Sequence, residues 1–66
     1  MLNQTISKRE TQVLHLIAQG YSTKEIASVL KISDHTAISH RKNLITKFDA
    51  KNTAHLVMSA VKASLL

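Results

Sequence analysis

His35, Ile38, Ser39 and Lys42 recur at the three- and four-residue spacing of one helix face within ISDHTAISHRKNLITKF, the stretch from Ile32 to Phe48. The chemistry such a set can do is non-covalent. A branched methyl packs on a thymine methyl, a hydroxyl serves either kind of base-edge group, and a cation reaches guanine or a phosphate. Earlier in the same stretch, Ser33 can accept a hydrogen bond from a free N–H of a first helical turn, and Asp34 puts negative charge at the positive helix end. A helix therefore opens there. With Ala37, His40, Leu44 and Phe48 turned to a core, His35, Ile38, Ser39, Lys42 and Thr46 fall on the other side. An isolated isoleucine among small polar and basic groups is not an ordinary solvated face.

The chain has 66 residues, one glycine, no proline and no cysteine. That length makes a single domain over residues 1–66, and one so small buries only about 60% of the surface its unfolded chain exposes. No disulfide or thiolate zinc site can add support. Helix-compatible residues throughout predict an all-α, four-helix domain with short connections. The opening MLNQTISKRE lacks the apolar segment of a signal peptide, and no run reaches the ~18 apolar residues needed to span a bilayer. A soluble intracellular protein with no membrane partner is expected. The formal net charge of +5 favours a polyanion, and Arg41, Lys42, Lys47 and Lys51 cluster in and just after the central stretch. Tyr21 and Phe48 are the only aromatics, too few for a base-stacking platform, so double-stranded DNA fits better than single strands.

Residues 1–5 read as a disordered leader. Ser7 and Glu10 form a capping box that starts a helix over about 8–19, with Val13, Leu14, Ile17 and Ala18 as its stripe and Gly20 as a left-handed terminator. Ser22 and Glu25 repeat the box, and a second helix runs over about 23–30 with Ile26, Ala27 and Leu30 inward and Val29 at the margin. Only Lys31 and Ile32 separate it from the Ser33 cap of the third helix, about 34–48. Two helices joined this abruptly, the second exposed and basic, make a helix-turn-helix. Thr23 and Lys24, at the start of the second helix, would face the sugar-phosphate backbone. Asp49 ends the third helix by tolerating the left-handed conformation, and Asn52 caps a last helix over about 53–65. Leu56, Ala60 and Ala63 gather on one arc of it and Ala54, Met58, Val61 and Leu65 on a neighbouring one. So much apolar surface suits a homodimer interface.

Residues 6–66 resemble the LuxR-type (GerE, NarL/FixJ) DNA-binding domain. The resemblance lies in Ile6-Ser7-x-Arg9-Glu10-x-x-Val13-Leu14, in Gly20-Tyr21-Ser22-x-Lys24-Glu25-Ile26-Ala27-x-x-Leu30-x-Ile32-Ser33, and in Thr36-x-x-x-His40 with a basic tail. It implies a bacterial transcription regulator that works in the cytoplasm at the nucleoid and binds DNA as a dimer through its last helix. The module usually ends a longer protein with a receiver or sensor domain, and RNA polymerase is a further partner. The family's base-contacting positions fall on Ile38, Ser39 and Lys42, beside which His35 lies on the same face, and its phosphate-facing positions on Lys24, Thr36 and His40, to which Thr23, Arg41 and Lys47 are added by charge and placement. Ile38 stands where the family often has lysine, Ala37 where it has valine, Lys47-Phe48-Asp49 where it has Lys-Leu-Gly, and Thr53 where an arginine is common.

Other chemistries find little to stand on. His35 and His40 lie about 140° apart around a helix, with no second pair at zinc-ligand spacing, so no metal is expected. There is no glycine-rich phosphate loop, cysteine nucleophile or acidic pair, Glu10 and Glu25 are accounted for by capping, and neither catalysis nor a cofactor is expected. The competing reading is a protein-protein interaction or anti-activator module that has lost specific DNA binding.

Overall fold

The computed structural model describes residues 5–66, and residues 1–4 of the expected leader lie outside them. Four helices follow in order, α1 Lys8–Ala18, α2 Thr23–Leu30, α3 Asp34–Lys47 and α4 Thr53–Lys62, with no strand among the described residues.

Each helix opens on its own cap. Ser7 Oγ accepts the Glu10 N–H at 3.0 Å while Glu10 Oε1 accepts the Ser7 N–H at 2.9 Å, and Ser22 and Glu25 repeat the exchange at 3.1 and 2.9 Å. Ser33 Oγ accepts from the Thr36 N–H at 3.0 Å, and Asn52 Oδ1 accepts from the His55 N–H at 2.8 Å. These bonds satisfy first-turn donors that have no partner inside the helix.

Each helix also closes in the same way. Gly20, Lys31, Asp49 and Ser64 have φ of 95°, 58°, 53° and 62°. The N–H of the next residue then turns back onto the last helical turn: Tyr21 to the Leu16 carbonyl at 3.0 Å, Ile32 to Ala27 at 3.0 Å, Ala50 to Ile45 at 2.9 Å and Leu65 to Ala60 at 2.9 Å. This is the Schellman arrangement, which satisfies otherwise orphaned carbonyls. It also corrects the expected end of α4. The helix stops at Lys62, Ala63 is an exposed cap instead of a core residue, and Leu65 folds back to pack on the core.

One apolar core joins the four helices. Val13, Leu14 and Ile17 enter it from α1, Ile26 and Ala27 from α2, Ala37 and Leu44 from α3, and Leu56 and Ala60 from α4. Ala27 and Ala37 are small and buried where α2 packs on α3, which lets the two backbones approach. Phe48, Leu30 and Ile32 pack around this core, while Val29 stays 52% exposed.

Candidate nucleic-acid interface

Helix α3 packs against α1, α2 and α4, and the residues it buries, Ala37 and Leu44, leave the opposite side free. On that side His35, Lys42 and Thr46 are exposed, and Ile38 and Ser39 are half-buried. Ile38 is not among the hydrophobic residues packed on the core, so its methyls are held at the surface by a rod anchored elsewhere. The four expected readers therefore share one accessible face. Thr36, one turn in, is half-buried, and its Oγ1 lies 2.8 Å from Ser33 Oγ, so its hydroxyl is oriented by the cap.

Lys24 is exposed in the first turn of α2, and His40 is half-buried. Thr23 and Arg41 come together from different helices. They line an open cavity of about 330 Å³ whose wall also includes Tyr21, Ser22 and Thr53. A guanidinium beside the first turn of α2 suits an anion, because the helix dipole and first-turn N–H groups add to its charge. Thr53, which stands where the family often has an arginine and where the loss of one backbone contact is expected, also lines this wall. No spacing signal links positions 23, 41 and 53, and the fold brings them together.

Lys47, expected at phosphate, has partners within the chain. Its ammonium lies 2.7 Å from Glu10 Oε1 and 3.2 Å from the Thr5 carbonyl oxygen, the only ion pair among the described residues. The cation assigned to phosphate is engaged by the chain itself, and Glu10 does more than cap. Glu10 is 5% exposed. Burial pushes its carboxyl up, but hydrogen bonds from Lys47 and Ser7 and the Lys47 charge outweigh that and leave it below the ordinary glutamate value. The Thr5 carbonyl, in the expected leader, accepts from the same ammonium.

On α4, Met58 is 60% and Val61 55% exposed, and Ala54 is exposed beside them. Leu65, expected in the same apolar patch, is drawn onto the chain's own core by the Schellman turn. Among the described residues, no group of three metal-ligating side chains comes together.

A helix-turn-helix formed by α2 and α3, held in a four-helix domain with one polar and basic face presented, defines the class. The family model for bacterial regulatory proteins of the luxR family (GerE) matches residues 4–60, and the chain belongs to that family. It is 44% identical over 61 residues to the oxygen regulatory protein NreC of Staphylococcus haemolyticus and, at the same level, to NreC of Staphylococcus aureus. Those matches take in 92% of this chain and 28% of each relative, so the chain spans under a third of their length. Two solved structures share the fold. The response regulator ChrA of a heme-sensing two-component system superimposes with a TM-score of 0.90 at 27% identity, over 100% of this chain and 33% of ChrA. Vibrio cholera VqmA, solved with ligand and DNA, gives 0.86 at 28% identity, over 98% of this chain and 28% of VqmA.

Proposed function

We propose that this chain binds duplex DNA sequence-specifically as the DNA-binding part of a bacterial transcription regulator, with α3 in the major groove. The observation that carries this is the shared accessible face of His35, Ile38, Ser39 and Lys42 on a helix packed against α1, α2 and α4. Ile38, Ser39, Lys42 and His35 read base edges. Thr23, Lys24, Thr36, His40 and Arg41 hold the backbone, with Thr53 added through the cavity it shares with Thr23 and Arg41. Membership of the luxR family and the DNA-bound relative VqmA support the reading.

Two copies pair through the exposed Ala54, Met58 and Val61 face of α4 and present two reading helices to a two-fold site. In a longer protein, a sensor or receiver domain supplies the input and RNA polymerase is a further contact, in the cytoplasm. No helix among the described residues is long and apolar enough to cross a membrane.

The test is selection of duplexes from a random pool by the 66-residue chain. A motif with two related half-sites about one helical turn apart is expected. A pool that stays random would remove the sequence-specific reading and favour the protein-binding alternative.

A further inference from the structure

Glu10 is the only charged residue buried among those described, and it does more than a helix start requires. Its Oε1 accepts both the Ser7 N–H at 2.9 Å and the Lys47 ammonium at 2.7 Å. The same ammonium donates to the Thr5 carbonyl at 3.2 Å. The beginning of α1, the residue leading toward it and the last residue of α3 are thus gathered on one cation, from positions 37 apart in sequence for Glu10 and Lys47. Only 19% of the Lys47 side chain and 6% of the Glu10 side chain remain accessible.

Two uses of Lys47 give opposite signs. A cation held for DNA phosphate would gain from the loss of Glu10, because a neighbouring carboxylate both competes for it and repels the polyanion. A cation that fixes the helix would lose. Geometry favours the second use. The 14 residues of α3 extend about 20 Å, so a tilt of a few degrees at the Lys47 end moves the opposite end by about 1 Å. Bidentate contacts to base edges do not survive such a shift unchanged.

We infer that the Glu10–Lys47 pair is a positioning device for the reading helix: it withholds Lys47 from the DNA backbone and pins the C-terminal end of α3 to the start of α1 and to the chain entering at Thr5. The inference rests on the DNA-binding reading above.

The test measures affinity for the duplex recovered by selection, as a function of salt, for wild type, Glu10→Gln, Lys47→Met, Lys47→Arg and the double variant that combines Glu10→Gln with Lys47→Met. All are compared at a temperature where circular dichroism finds each folded. Glutamine at this position keeps a capping box, so the change isolates the charge. Glu10→Gln weakens binding about tenfold, the size of a modest coupling free energy, even though it raises the net charge by one. Lys47→Met weakens it comparably with an unchanged salt slope, the double variant is no worse than Lys47→Met, and Lys47→Arg restores most of the affinity. Tighter binding by Glu10→Gln overturns the inference. So does a slope for Lys47→Met that is shallower by about 0.9, the signature of one lost phosphate contact. Should one variant not fold, the other decides alone. A wild-type chain that binds no duplex removes the DNA reading itself. The tie is then judged by backbone relaxation at Thr5 and Ile6, which loosen in Lys47→Met if it holds and stay unchanged if it does not.

Discussion

The Lys51 N–H donates to Nδ1 of His55 at 2.9 Å, and the His55 N–H donates to Asn52 Oδ1 at 2.8 Å. The imidazole therefore accepts from the turn between α3 and α4 at the residue before the asparagine cap. An accepting Nδ1 requires the proton of the neutral ring to sit on Nε2. Nitrogen NMR of the neutral ring is expected to find that tautomer. His55→Ala should lower unfolding free energy by about 1 kcal/mol, the worth of one such bond, while Nδ1 found protonated would contradict the geometry.

Glu10 makes stability depend on acid. Its folded carboxyl titrates below the ordinary glutamate value, which the unfolded chain is taken to keep. The carboxylate's contribution is complete above the ordinary glutamate range, declines as pH falls through that range and is gone below the folded value. Urea unfolding across that window should show the wild-type advantage over Glu10→Gln shrinking as pH falls. A constant gap would mean that the charge is not what stabilises.

Lys31 holds φ of 58° at the end of α2, a conformation that costs a residue with Cβ about 1 kcal/mol or more. Lys31→Gly should raise unfolding free energy by about 0.5 to 1 kcal/mol, less than the full strain because glycine also frees the unfolded chain. Chemical denaturation at neutral pH measures it.

Lys42 and Lys24 are both exposed, on α3 and α2 respectively, and they should fail differently. Lys42→Ala is expected to cost about 1 to 3 kcal/mol on the preferred site and to relax preference at one base position. Lys24→Ala should weaken binding evenly over all sequences and reduce the salt slope by about one. Competition binding with single-base variants of the selected duplex separates the two.

Val61, at 55% exposure, is the most informative position for pairing. Val61→Glu should leave the monomer folded, shift sedimentation to a single copy and reduce affinity for a two-half-site duplex by about tenfold or more, since the second site no longer gains from linkage. Full affinity from a strictly monomeric variant would remove α4 as the pairing surface.

Much of this architecture is legible in the sequence because its signals are short-ranged. Ser7 with Glu10, Ser22 with Glu25, Ser33 and Asn52 announce the four helix starts, each making its cap bond three residues along. Gly20 and Asp49 announce two of the ends. Lys31 and Ser64 announce nothing, since lysine and serine have no strong left-handed preference, and α4 is accordingly shorter than its apolar pattern suggests. The apolar face expected on α4 loses Leu65 for the same reason. The placement of His35, Ile38, Ser39 and Lys42 on one side of α3 follows from helical spacing. What spacing cannot supply is a contact between distant parts of the chain. Capping alone accounts for Glu10 in the sequence and charge alone for Lys47, and their pairing emerges only when α1 and α3 are packed together. The cavity that joins Thr23, Arg41 and Thr53 is of the same kind.

The uniform sealing of the helices has a kinetic consequence. All eight termini are closed by bonds that reach no more than five residues along the chain, so none waits for a distant segment before it can form. Nucleation, the slow step of helix growth, is eased at each start, and little loop-closure entropy stands between the collapsed chain and its native arrangement. Such a chain belongs at the rapid end of folding rates for its size and needs no neighbouring domain to finish its helices.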